Sequence, residues 1–400
     1  MNPLKQAFFA RDYKQLEATI IDEASSFTEL AFFDQNQIIK AFLRQKKYDF
    51  ILKLSKTDAV IMDVFELDSF AGSFIETILL NTPFYAEVIT EYNAETLLNE
   101  VPNQEALDFF DKFVAQIEEI DENIGNETLL KIAIKNYRPI PVLEILVSAG
   151  CNVSQMDASD NTLLFCKSQP SVFQWLIDQG LDVNHQNKAG QTPLLQAIEQ
   201  NNLERIQLLL DCGVDTSIKD KSGNSIFHTA LIDKANYALF DLLCEYDTPS
   251  LEETNAKGSS LLFNYIDRLY TTGETELKYL NKLLEMGANI HQVNCNAYGE
   301  ETTILDIAIK KGFAVFETLL KHNTQDINLT DNTGNTVLHK VCAMPLNFEQ
   351  TKAKEQYKMV KLLLKQGADK SIRNTDDKTA LDLATDDNLK EKIVQLLLKF

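Results

Sequence analysis

The sequence predicts an all-α fold, a linear array of helix–turn–helix units, and three observations predict it. Glycine and proline are scarce, at 14 and 9 of 400 residues, which argues against a sheet-rich fold full of tight turns. A Gly-x-Thr/Ser motif leading into apolar residues recurs, as Gly190-Gln191-Thr192-Pro193-Leu194, Gly223-Asn224-Ser225-Ile226-Phe227-His228 and Gly334-Asn335-Thr336-Val337-Leu338-His339. A Leu-Leu run closed by glycine recurs beside it, at Leu209-Leu210-Asp211-Cys212-Gly213, Leu283-Leu284-Glu285-Met286-Gly287 and Leu363-Leu364-Lys365-Gln366-Gly367.

The Thr or Ser of the first motif stands at 128, 162, 192, 225, 260, 303, 336 and 379. Five of the steps, 34, 30, 33, 35 and 33 residues, lie near one period, and the remaining two, both 43, mark insertions. A Thr or Ser in that place caps the first helix of a pair by accepting an orphan N–H. Pro193 follows where a missing N–H costs nothing. The glycine after each Leu-Leu run ends the second helix in a left-handed turn. Such a pair cannot bury its apolar face alone, so neighbours must stack into a continuous core. Gly-x-Thr-Pro-Leu-His with a Leu-Leu-x-x-Gly-Ala-Asp/Asn ending is the signature of the ankyrin repeat, and residues 121–400 resemble about eight copies of it. The resemblance implies a solenoid with short β-turn fingers. It also places His228 and His339 at the family's structural histidine, whose ring bonds back to a neighbouring loop. The copies are uneven, since proline follows the anchor only at Pro193 and histidine completes the motif only at 228 and 339.

Residues 1–120 lack the anchors but keep the rhythm. Ala7-Phe8-Phe9 with Tyr13 and Leu16 returns as Ala41-Phe42-Leu43 with Tyr48 and Ile51, at offsets of 34 and 35. This region reads as divergent helical-hairpin repeats that cap and continue the array. A separate helical domain docked on the first repeat is the alternative. Further helices are expected from Phe74 to Ile89 and from Leu107 to Ile117. Farther along, insertions lengthen the loops Thr271–Glu276, Asn294–Glu301 and Ala343–Gln350, and insertions in repeat proteins map to loops, often on the binding side.

The net charge of −21 is unevenly spread. From Thr57 to Leu130 stand 17 carboxylates, the first Asp58 and the last Glu127, against the single base Lys112. So acidic a chain excludes nucleic-acid binding through a phosphate-neutralising surface and is repelled by anionic membranes. Its natural complement is a basic protein, and a merely solubilising face is the plainer reading of the same carboxylates. No apolar run is long enough to span a membrane, and the first residues lack a signal-peptide core. The six cysteines are scattered singly, as reduced thiols are. A cytoplasmic protein, monomeric on its own, is expected.

No glycine-rich phosphate loop, His-Glu-x-x-His, Cys-x-x-Cys or nucleophile elbow is present. No catalytic residue, metal ligand or cofactor is therefore expected, and Trp175, within Val172-Phe173-x-Trp175-Leu176-Ile177, reads as core. The expected function is a non-enzymatic protein-binding scaffold. With the acidity, it points to an inhibitor or immunity protein that neutralises a basic enzyme or toxin, a role the resemblance also allows. The alternative is an adaptor or secreted effector engaging host proteins. Candidate contacts are outward first-helix positions and loop tips, Gln196, Glu199, Asn264, Asp267, Arg268, Tyr298 and Asp306, with Tyr298 as anchor. The run Glu118, Glu119, Asp121 and Glu122 is the candidate steering cluster.

Overall fold

The computed structural model describes residues 3–22, 27–64, 66–85, 102–123, 127–270, 272–295, 301–322, 327–346, 349–385 and 388–400. These are mostly helical, with one antiparallel hairpin of β1 (Val293–Cys295) and β2 (Glu301–Thr303). The chain divides into two compact units, residues 1–197 with 203–214, and residues 198–202 with 215–400.

The first unit opens with two helical hairpins, α1 (Pro3–Phe9) with α2 (Tyr13–Asp22) and α3 (Phe32–Arg44) with α4 (Tyr48–Leu54). Then come α5 (Phe74–Asn81), α6 (Gln104–Val114), α7 (Leu129–Lys135) and α8 (Ile140–Ser148). Both opening hairpins turn through one left-handed residue, Arg11 (φ 58°) and Lys46 (φ 55°), as α7–α8 does at Tyr137 (φ 55°). The rhythm seen in the sequence is therefore a shared turn geometry. Aromatic packing joins the pieces: Phe42 meets Phe50 at 4.3 Å between ring centroids, and Tyr48 stacks on Phe109, also at 4.3 Å, which draws α6 onto α4.

Helix α5 stops at Asn81, short of the expected Ile89. Thr82 precedes Pro83, whose ring forces the preceding residue into extended backbone (ψ 128°); residues 86–89 lie outside the described set. Helix α6 begins at Gln104, ahead of the expected Leu107, because the Asn103 side chain accepts the Ala106 N–H as a cap. It ends at Val114, leaving Ile117 in the turn that follows.

Seven of the eight anchors cap a first helix. Thr128, Thr192, Ser225, Ser260, Thr303, Thr336 and Thr379 each accept the N–H three residues on. The exception is Thr162, whose buried hydroxyl finds no partner among the described residues. Only 30 residues separate it from the next anchor, and its first helix has shrunk to one 3-10 turn, Leu163–Phe165. After α9 (Pro170–Asp178) and α10 (Pro193–Glu199), Arg205 of α11 (Leu203–Asp211) reaches back to that turn. Its guanidinium donates to the Leu164 and Phe165 carbonyls and lies 5.7 Å over the Phe173 ring. Burial pushes this cation down to about 10.

In the second unit, α12 (Ile226–His228) runs on into a wide π turn, Thr229–Asp233, and pairs with α13 (Tyr237–Tyr246). There follow α14 (Leu261–Arg268), α15 (Glu274–Glu285), α16 (Ile304–Lys311), α17 (Phe313–Lys321), α18 (Val337–Ala343), α19 (Gln350–Lys365), α20 (Ala380–Ala384) and α21 (Glu391–Lys399).

Six fingers between repeats share one construction. Their first residues are Asp157, Asn187, Asp220, Asn255, Asp331 and Asn374. Each side chain accepts the N–H groups two and four residues on. The fourth residue of each is left-handed: Asp160, Gly190, Gly223, Gly258, Gly334 and Asp377. Fingers also bond to one another. Asn187 Nδ2 donates to Asn161 Oδ1 at 2.9 Å, Asn255 to Asn224 at 3.2 Å and Asn374 to Asn335 at 2.9 Å. Gly334 is needed twice over, for its φ of 71° and because a Cβ there would stand 3.1 Å from the Asn374 Cα.

Candidate functional site

The first helices α14 and α16 pack side by side in the second unit, with the β1–β2 hairpin leading into α16. Between them opens a groove of about 480 Å³, lined by Phe263 and Asp267 of α14, Asn294 and Thr302 of the hairpin, and Ile307 and Lys310 of α16. Lys311 closes one end by donating to the carbonyls of Asp267 and Leu269, the second at 2.9 Å. The groove offers apolar floor, a carboxylate and an ammonium.

The structure gathers Asn264, Asp267 and Arg268 on α14. Asn264 is half-buried, and the other two are exposed. Arg268 lies 3.6 Å from Asp233. Asp306 has a different task. It closes a capping box with Thr303, and its other contact is Lys340 at 2.9 Å, which also pairs with Asp331 at 3.0 Å. Burial works against the Lys340 charge, yet the two carboxylates hold its ammonium above the usual lysine range. Asp306 is thus engaged in joining α16 to α18. Gln196, in the first unit, is half-buried and accepts from Arg205 at 3.4 Å, while Glu199 is exposed. Tyr298 lies outside the described residues. Tyr270 was passed over by sequence reasoning. It stands 93% exposed just after α14, and its signal was an aromatic immediately before the inserted loop Thr271–Glu276.

The acidic stretch in the first unit is partly a face. Helix α6 buries Leu107, Phe109, Phe110 and Phe113 and exposes Glu105, Asp108, Asp111 and Lys112. In the turn beyond it, Glu118, Glu119 and Glu122 are exposed. That turn is fixed by the Glu118 N–H donating to the Met62 carbonyl and the Val64 N–H donating to the Glu118 carbonyl, both at 3.0 Å. Asp121 differs from its neighbours: it is half-buried and accepts the Asn152 N–H at 2.6 Å, so it holds the loop. Glu87, Glu91, Glu95 and Glu100 lie outside the described residues.

His339 is fully buried, touches Thr336 through Nδ1 at 2.8 Å and reaches the Lys378 carbonyl of the next finger through Nε2 at 3.2 Å. His228 touches Ser225 at 3.2 Å, but its Nε2 has no partner among the described residues, and burial pushes the imidazole down to about 4. Trp175 is buried. Among the described residues no three His, Cys, Asp or Glu side chains are arranged to hold a metal, and no helix is long and apolar enough to cross a membrane.

The family profile for ankyrin repeats matches residues 162–255, as three copies, and a single ankyrin repeat matches residues 333–375. Residues 162–255 and 333–375 are ankyrin repeats. Over 68% of its length the chain is 25% identical to phosphocholine transferase AnkX of Legionella pneumophila, 31% of which is covered. It is 30% identical to ankyrin repeat and SOCS box protein 6 of Homo sapiens over 37% of each chain. The solved ankyrin repeat domain of Bcl-3 aligns over 58% of this chain and 92% of its own, at a TM-score of 0.45 and 21% identity. The chain spans about a third of the length of these curated relatives. Ankyrin repeats are protein-binding scaffolds, and that is the function class of this chain.

Proposed function

We propose that this ankyrin-repeat protein is a non-enzymatic acidic inhibitor or immunity protein that binds and neutralises a basic partner enzyme or toxin in the cytoplasm. The observation that carries the reading is the exposed row of carboxylates along α6 and its following turn, Glu105, Asp108, Asp111, Glu118, Glu119 and Glu122, set against two exposed lysines, Lys112 and Lys46, the second paired with Glu105 at 3.3 Å. Same-sign charge at this density repels itself and works against compactness, so a use that offsets the cost is sought in a basic partner. Exposed charges act mainly on the rate of encounter and are screened beyond about 8–10 Å at physiological salt. The α14–α16 groove then supplies a seat, with Asp267 in its lining, and Asn264, Arg268 and Tyr270, on or just after α14, and Tyr298 of the inserted finger are further contacts.

The test begins with proteins of the source cell fractionated by charge. The immobilised chain should retain a basic enzyme and titrate out its activity at one-to-one stoichiometry. Converting Glu118, Glu119 and Glu122 to Lys should then slow association about tenfold at low salt, leave dissociation unchanged, and lose its effect at high salt. Asp121 is left intact because it holds the Asn152 N–H. An acidic partner, or an association rate indifferent to both salt and charge reversal, sinks the reading. A second reading, an adaptor or secreted effector that engages host proteins, is favoured by the similarity to the Legionella transferase.

A further inference from the structure

A second groove, also of about 480 Å³, lies in the first unit between the start of α3 and the segment from Asp58 to Phe74. Phe32 and Ile61 line it and are 56% and 46% exposed, although Phe27 and Phe70 nearby in sequence are buried. Large apolar side chains left open together on one groove mark an interaction surface more often than a fold requirement. The groove is preformed. Asn36 of α3 donates to the Gly72 carbonyl at 3.3 Å and accepts from the Thr77 hydroxyl at 3.0 Å, which ties α3 to α5. Gly72 is left-handed (φ 83°), and a Cβ there would overlap the Phe32 ring, so the bare backbone seats that ring. Gln35 donates to the Phe27 and Leu30 carbonyls at 3.0 and 3.1 Å, fixing the entry to α3.

The groove is apolar within and acidic at its edge. Asp58 and Asp68 line it, both are exposed, and neither is ion-paired among the described residues. No lining residue is basic. Residues 57–85 carry five carboxylates and no Lys or Arg at all. A second copy of the chain, at net charge −21, is repelled from such a rim. We propose that this groove docks a short basic amphipathic segment of the partner protein. One aromatic or aliphatic side chain sits between Phe32 and Ile61, and flanking Lys or Arg side chains reach Asp58 and Asp68. The apolar seat sets residence time, and the two carboxylates set orientation and rate. The inference rests on the reading of the chain as a scaffold for a basic partner and names the feature of that partner it grips.

The probe is a displayed random-peptide library selected on the full chain. Enriched peptides should carry one large apolar residue flanked by Lys or Arg. Phe32→Ala with Ile61→Ala should weaken an enriched peptide about tenfold, with its salt dependence retained. Asp58→Lys with Asp68→Lys should weaken it about tenfold at low salt and flatten the salt dependence. All four side chains are exposed, so helical content should not change, and circular dichroism confirms it. Combined alanine substitution of Asp267, Arg268 and Tyr270 should leave the peptide bound. No enrichment, enrichment without basic bias, or full binding by the groove variants overturns the proposal. Peptides released by the α14 variant but not by the groove variants also overturn it, while leaving the scaffold reading intact. Basic peptides seated in the groove while the captured natural partner proves acidic would sink the inhibitor reading alone.

Discussion

The repeat that begins at Thr336 and the one that begins at Thr162 start from one template and are completed by different means. At Thr336 the repeat supplies its own chemistry: the hydroxyl caps α18, and His339 bridges from Thr336 to the next finger at Lys378. At Thr162 the hydroxyl caps nothing, the first helix is a single 3-10 turn, and Arg205 of the following repeat brings the missing donors. A repeat that has lost its helix-end chemistry therefore survives by borrowing from its neighbour, which is possible because stacked repeats share one core.

The largest effect should come from removing the borrowed group. Arg205→Ala leaves two carbonyls without donors and uncovers Phe173, and it should cost about 3 kcal/mol in a denaturant titration. A loss below about 1 kcal/mol would mean that the shortened repeat does not depend on its neighbour. His228 sharpens the contrast with His339, because it shares the position but lacks the outgoing bond. Its folded pKa of about 4 lies below the ordinary 6.5. The unfolded chain thus takes up a proton below about pH 6.5 that the folded chain refuses until about pH 4. Stability from this group is complete above pH 6.5 and declines as pH falls toward 4, by about 2–3 kcal/mol. The difference in melting between the wild type and His228→Gln should narrow across that window, and a constant difference would refute the assignment. The smallest effect lies in the fingers. Gly334→Ala strains a left-handed turn and meets the next finger, costing about 1–2 kcal/mol, whereas Asp160→Gly at the equivalent turn should gain up to about 1 kcal/mol. Equal shifts of one sign would erase the distinction between the two repeats.

The fold was legible where the motif has a physical job. Seven anchors cap helices, and the glycines that close Leu-Leu runs at Gly213, Gly287 and Gly367 are left-handed as expected. The 30-residue step after Thr162 showed that something was missing but not what replaced it, since Arg205 lies 43 positions away and acts through the fold. The end of α5 was readable from Pro83, and the run of apolar residues to Ile89 outweighed it. The candidate contacts were legible as positions on α14 but not as partners of other side chains. Asp306 reads as an exposed carboxylate until Lys340 is placed beside it, and Asp121 until Asn152 is. The groove at Phe32 gave no sequence signal, because an exposed Phe and a buried Phe look alike in a helical pattern.

Among the six fingers of shared construction the first residue alternates, Asp157, Asn187, Asp220, Asn255, Asp331, Asn374, with the β1–β2 finger standing between Asn255 and Asp331. Aspartate only accepts, whereas asparagine also donates, so each Asn finger ties back to the Asp finger before it. Repeats are thereby tied in couples through these side chains. Duplicating or deleting a couple keeps every such tie intact. Losing the Asn187 finger would set Asp220 behind Asp157 and leave no amide there to make that tie.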